Sequence, residues 1–114
     1  MPRPIAPLLP MLAHNVYFRL YDNSPAAVEA LLSSCHEHLT GHPGTVFYGA
    51  GSCDRELDRD VNDRDWDAAL VIVFESRAAH DTYQVSDRHQ AFIAANAENF
   101  AAVRVFDAKV DAPA

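Results

Sequence analysis

The sequence predicts an α+β domain in which a four-stranded antiparallel sheet carries its helices on one face. Three observations point to this. Apolar residues recur at β spacing over 12–21 and 68–76 and at helical spacing over 25–39. The segments follow one another as β-α-β-β-α-β, the split βαβ order. The length of 114 residues, 49% of them hydrophobic, suits one domain with one core.

In "LAHNVYFRLY" (12–21), Leu12, His14, Val16, Phe18 and Leu20 alternate with Ala13, Asn15, Tyr17, Arg19 and Tyr21, so one face of the strand is apolar except for His14. Ser24 can cap a helix whose first residue is Pro25, and Val28, Leu31, Leu32, Cys35 and Leu39 form its apolar stripe. Gly41 and Pro43 end it. "TVFYGAGSC" (45–53) reads as a second strand, in which Gly49 and Gly51 mark a bulge or a close approach. Residues 54–67 hold seven of the sixteen acids and three of the nine basic residues and read as a solvated loop. "AALVIVFES" (68–76) is apolar on both faces, as a central strand covered on both sides would be. The helical pieces "RAAHDTYQ" and "DRHQAFIAANAENF" follow, and "AVRVFDAKV" (102–110) is the last strand. The arrangement is ferredoxin-like. Its two helices cover one sheet face, so the opposite face, with Ala69, Val71 and Val73, needs a partner's sheet to keep it dry. A homodimer closing into an α/β barrel is the expectation.

A net charge of -7 with scattered Lys and Arg argues against nucleic acid or an anionic membrane as partner. Cys35 and Cys53 form neither a CxxC pair nor a disulfide framework, which fits a reducing cytoplasm, although one bridge between them stays open. "MPRPIAPLLPML" has no long apolar run and makes a poor signal peptide, and nothing in the chain is long and apolar enough to span a membrane. Residues 1–10 are expected to be an extended, proline-held arm, and 11–111 the single folded domain.

The chemistry concentrates in "TYQVSDRHQAF" (82–92). In one continuous helix Tyr83 and His89 would lie about 120° apart and could not share a face. Ser86 and Asp87, after Val85, are cap-forming residues, so the helix is expected to break and restart there. That places His89 in a first helical turn, where the positive end of the dipole favours neutral imidazole. A neutral His can accept a proton, and a Tyr at a pocket rim can hydrogen-bond a developing enolate. His14 lies on the strand face that the helices cover, where a lone His is more often a satisfied core residue. Other candidates are weaker. His38 and His42 have chelating spacing, but Gly41 separates them; Asp58, Asp60 and Asn62 imitate a calcium loop whose required Gly is Asp63 and whose twelfth position is Ala69. No metal is expected. Cys35 reads as a small core hydrophobe, and His80 has no assigned role.

The strands "AHNVYFRL", "ALVIVFES" and "VRVFDAKV", together with "TYQVSDRHQAF", resemble in order and spacing the stress-responsive dimeric α/β-barrel (Dabb) proteins over residues 12–110. The resemblance implies a homodimer with a pocket between each subunit's sheet and helices, no cofactor, and a wall that includes Val16, Phe18, Leu32, Leu70 and Phe92. It is more distant to the plant polyketide cyclases that make olivetolic acid by a cofactor-free aldol condensation. Their catalytic Tyr and His match Tyr83 and His89, and a first-strand pocket His matches His14. The chain departs from them at Ala68, where they have a further His, and in "SDRH" where "HPxH" is commoner.

Three functions are therefore in view. The first is a cyclase-like or lyase-like enzyme acting on a small carbonyl or aromatic compound, with His89 as base and Tyr83 as donor. The second is a stress-associated dimer that binds an apolar or aromatic ligand or a partner without chemistry. The third, monooxygenase-like, rests on Asn15 and Trp66, but parity puts Asn15 on the sheet face away from the pocket.

Overall fold

The computed structural model describes residues 10–111, so of the expected arm only Pro10 lies within it. The chain runs β1 (Met11–Leu20), α1 (Pro25–His38), β2 (Thr45–Ser52), β3 (Ala68–Phe74), α2 (Arg77–Gln84), α3 (Asp87–Asn96), a 3-10 turn (Ala97–Asn99) and β4 (Phe100–Val110). The sheet has the order β2-β3-β1-β4, with every pair antiparallel. This is the expected ferredoxin-like α+β fold, and β3 is central as its two-sided apolar pattern requires.

Local chemistry sets the element boundaries. The Ser24 hydroxyl accepts from the Ala27 N–H at 3.2 Å, and Pro25, which has no N–H to leave orphaned, occupies the first helical turn. After His38 the chain leaves the helix and passes through Gly41 at φ 73°, a left-handed conformation that suits glycine. Arg88 of α3 reaches across to donate to the Glu37 and Thr40 carbonyls at 2.7 and 2.6 Å, satisfying acceptors that the end of α1 leaves open. β3 stops two residues earlier than expected because Ser76 turns to cap α2, accepting from the Ala79 N–H at 3.1 Å.

β1 and β3 bury alternate residues. Val16, Phe18, Leu70, Ile72 and Phe74 face the helices and meet Leu31, Cys35 and Leu39 from the α1 region. Phe74, Ile72 and Leu39 are fully buried, each contributing about 1.5–3 kcal/mol relative to exposure. Burial pushes the Cys35 thiol up to about 12, so it is a packing group rather than a nucleophile. Both cysteines are free.

Two further details differ from expectation. The irregularity in β2 falls between Thr45 and Phe47, not at the glycines; Gly49 is instead a close approach, since a Cβ there would sit 3.2 Å from the Phe47 ring. The acidic loop is exposed as expected except at Asn62 and Trp66, which are partly buried, and at Asp67, which is buried and accepts from the Leu20 N–H at 2.8 Å, from Asn23 at 3.2 Å and from Arg55 at 3.0 Å. It fastens the loop to the end of β1. None of the described helices is long and apolar enough to cross a membrane.

Candidate functional site

The break in "TYQVSDRHQAF" occurs where Ser86 and Asp87 predict it. α2 ends at Gln84, and the Ser86 hydroxyl both donates to the Tyr83 carbonyl at 2.8 Å and accepts from the His89 N–H at 3.1 Å. One side chain thus closes the first helix and caps the second, which turns His89 back over Tyr83. The two rings meet edge to face with centroids 5.0 Å apart.

His14, Tyr83 and His89 line one cavity of about 170 Å³ between sheet and helices. Its sheet wall is His14, Val16, Phe18 and Leu70, and Phe92 closes it from α3. Val103 and Val105 of edge strand β4 complete its open side, both nearly half exposed. Leu32 does not belong to this wall. It is offset about 100° around α1 from the buried Leu31 and lines a separate depression with Val28, Cys53 and Asp67.

Tyr83 is 2% exposed, and its hydroxyl is buried with no hydrogen-bond partner among the described residues. Its ring is flanked by those of Phe74 at 5.0 Å, His42 at 4.9 Å and His14 at 5.9 Å. Burial raises the Tyr83 pKa well above the usual phenol value, so the group keeps its proton and is a donor. His89, half-buried, is shifted below its ordinary value, first by burial and then by the nearby His14, His42 and His80. The Gln84 amide lies 3.5 Å from its Nε2. His14 is also lowered, with burial outweighing the Asp107 carboxylate. Its Nδ1 donates to Asp107 Oδ1 at 2.6 Å, which leaves Nε2 as the acceptor nitrogen.

Sequence reasoning missed three neighbours. Asp107 stands directly across from His14 in the β1–β4 ladder; only the strand register, read together with the shared face, could have found it. His80 of α2 places its ring 5.0 Å from that of His14. His42 donates from Nε2 to the His38 carbonyl at 2.8 Å and packs on Tyr83, while His38 Nδ1 is bonded to the Ser34 carbonyl at 3.0 Å, so the i,i+4 pair is structural and not chelating. Asn15 and Trp66 lie on the opposite sheet face, beside Tyr17 and Phe106 in a shallow concavity.

This geometry sits on a sequence that matches the stress-responsive A/B barrel domain, Dabb, over residues 12–110. The chain belongs to the Dabb family. No curated protein matches it significantly. Among solved structures, a dimeric ferredoxin-like protein of unknown function from Thermobifida fusca superposes with a TM-score of 0.74 at 19% identity, covering 96% of this chain and 100% of that one. A Dabb protein with a ferredoxin-like fold from Mesorhizobium loti gives 0.74 at 17% identity over 90% and 99%. The hydroxynitrile lyase of Passiflora edulis gives 0.71 at 16% identity over 90% and 94%. At these identities the likeness shows the fold, and the chemistry of this Dabb chain has to be argued from its own residues.

Proposed function

We propose that this Dabb chain is a homodimer in which each subunit binds a small monocyclic carbonyl or phenolic compound and moves a proton on it, in the manner of a cyclase or lyase and without a redox cofactor. The observation that carries this reading is the convergence of Tyr83 and two neutral histidines on one cavity walled otherwise by apolar side chains and Gln84, with the Tyr83 hydroxyl itself buried and without a partner among the described residues. A buried donor without a partner costs about 1–3 kcal/mol, and a ligand oxygen would recover that. The cavity is about the size of one known to hold benzene, roughly 150 Å³, so a single ring fits within it.

In this reading His89 is the base. It is neutral near pH 7, sits in the first turn of α3, and removes a proton from the carbon beside the carbonyl. Tyr83 donates its O–H to the oxygen on which charge develops, and burial keeps the site at low dielectric, where such a bond is strongest. His14, held in one tautomer by Asp107, orients the substrate or relays the proton from Nε2. A hydroxynitrile lyase is among the proteins that share this fold.

Deuterium exchange at the carbon next to the carbonyl of simple aryl ketones, followed by NMR in D2O, tests the reaction, and ring-current shifts of protein methyl groups report binding. Exchange above the buffer rate is the expected result. Ligand-induced shifts at Val103 and Val105 without exchange would support the second reading, binding without chemistry, which the 2% exposure of Tyr83 favours. Neither shifts nor exchange would end both.

A further inference from the structure

We propose that His14, His80 and Asp107 form a binding site for one divalent transition-metal ion at the β4 edge of the cavity. Each residue offers a ligand atom, and these atoms all lie within 4.8 Å of one another. Three elements converge to make the cluster: His14 comes from β1, Asp107 from the position paired with it on β4, and His80 from α2 above them. The strand pairing alone brings the His14 Nδ1 and a carboxylate to 2.6 Å, and α2 lays the second imidazole ring 5.0 Å from the first; an ion held by both His14 and Asp107 takes His14 through Nδ1 and displaces the proton that Nδ1 otherwise donates to Asp107.

The surroundings of His80 support the same assignment. Its Nδ1 donates to Asp81 Oδ1 at 2.9 Å, and Asp81 is held in turn by the Arg77 Nε at 2.9 Å. A carboxylate on one ring nitrogen fixes the tautomer and leaves the other nitrogen, Nε2, with its lone pair free, as outer partners of metal-bound histidines do. The His80 side chain is only 14% exposed and the His14 side chain 5%, so neither is a freely rotating surface group. Asp107 is 41% exposed on an edge strand and can adjust.

Two imidazoles and one carboxylate select a borderline ion such as Zn2+, Fe2+ or Co2+ over Mg2+ or Ca2+, which prefer all-oxygen sets. Zn–N and Zn–O bonds near 2.0–2.2 Å put tetrahedral ligand atoms roughly 3.3 Å apart, so swings of about 1 Å by His80 and Asp107 would close the site. Three protein ligands leave at least one position open, and one of them, His14, also lines the cavity. The inference goes beyond the proton-transfer reading and does not depend on it, because its readout is the ion.

The test is titration of chelator-stripped full-length protein with Zn2+ by calorimetry and with Co2+ by visible absorption. One ion per chain with low-micromolar or tighter affinity, a tetrahedral Co2+ spectrum, and at least a tenfold loss of affinity in both His80→Ala and Asp107→Asn are expected. His89→Ala should bind Zn2+ as wild type does. Because His80 and Asp107 lie outside the buried core cluster, these variants should fold, and circular dichroism confirms it. No saturable binding, or binding that His80→Ala leaves unchanged and so belongs to other groups, would overturn the site. Deuterium exchange that survives metal stripping leaves the acid–base reading standing whichever way this titration falls.

Discussion

The Tyr83 and His89 rings face each other edge to face at 5.0 Å, although six positions separate them and a continuous helix would hold them on different faces. Ser86 makes the difference, since its hydroxyl bonds to the Tyr83 carbonyl and the His89 N–H at once. Ser86→Ala should therefore open the turn. Loss of one cap costs about 1 kcal/mol, and ligand binding should fall further than this stability loss accounts for. Thermal denaturation and ligand titration on the same variant check it. Unchanged ligand affinity would mean that the turn holds its shape without Ser86.

The pH dependence follows from the depressed His89 pKa. The groups facing it are His14 from β1, His42 after α1, and Tyr83 and His80 from α2, none of them an anion. Because the folded value lies below 6.5, the fold favours neutral His89. The corresponding stability is present above pH 6.5 and is lost as pH falls through the folded value. Activity should follow the same sign, flat near neutrality and falling on acidification. NMR titration of the His89 ring should give a midpoint below 6.5, and a midpoint above it would remove His89 as the base.

Gly44 has φ 82°, its carbonyl accepts from the Glu75 N–H at 2.8 Å, and a Cβ there would lie 2.5 Å from Ala79 Cβ. Gly44→Ala combines left-handed strain with a backbone-anchored clash against α2. Destabilisation of about 2 kcal/mol or more is expected in urea denaturation. Because the clash falls on α2, ligand binding at Tyr83 should weaken as well. A change within about 0.5 kcal/mol would show that α2 shifts freely.

Much of this site was legible from spacing. Strand parity assigned His14 to the helix-covered face, and the cap-forming pair after Val85 gave the break, because both depend on residues adjacent in sequence. What depends on tertiary register was not legible. Asp107 is 93 positions from His14 and meets it only through the β1–β4 pairing. His80 and His42 approach through the docking of α2 and the turn after α1. Leu32 was misplaced because a helical stripe of Val28, Leu31, Leu32 and Cys35 is wider than one contact face, and packing alone decides which flank meets the cavity.

The outer sheet face carries Phe47 and Phe106, both more than half exposed in the single chain, around the half-buried Val71 and Val73. Covered by a second copy, this face should bury on the order of 1,200 Å² or more in total. Light scattering after size exclusion should give a dimer at micromolar concentration. Phe106→Asp should give a monomer, since a charge within an apolar contact is unpaired there but harmless in water. A wild-type monomer would refute the barrel for this chain.

Tyr83→Phe separates function from packing most cleanly. If Tyr83 were only a core residue, its hydroxyl would be a flaw, because it is buried and without a partner. Phenylalanine fills the same space and removes that flaw, so the variant should be as stable as wild type or more stable by up to about 1 kcal/mol. A donor kept for a developing oxyanion behaves differently in the assay. Its loss should lower turnover by about 10²–10³-fold, the usual effect of removing one such donor. Ligand binding should weaken much less, because a ground-state carbonyl draws less on the bond than the transition state does. His89→Ala should abolish turnover while ligand and dimer persist, since His89 lies at the cavity edge and not among the fully buried side chains. A Tyr83→Phe protein that is destabilised by more than about 1 kcal/mol and unchanged in turnover would assign the hydroxyl to the fold and end the catalytic reading.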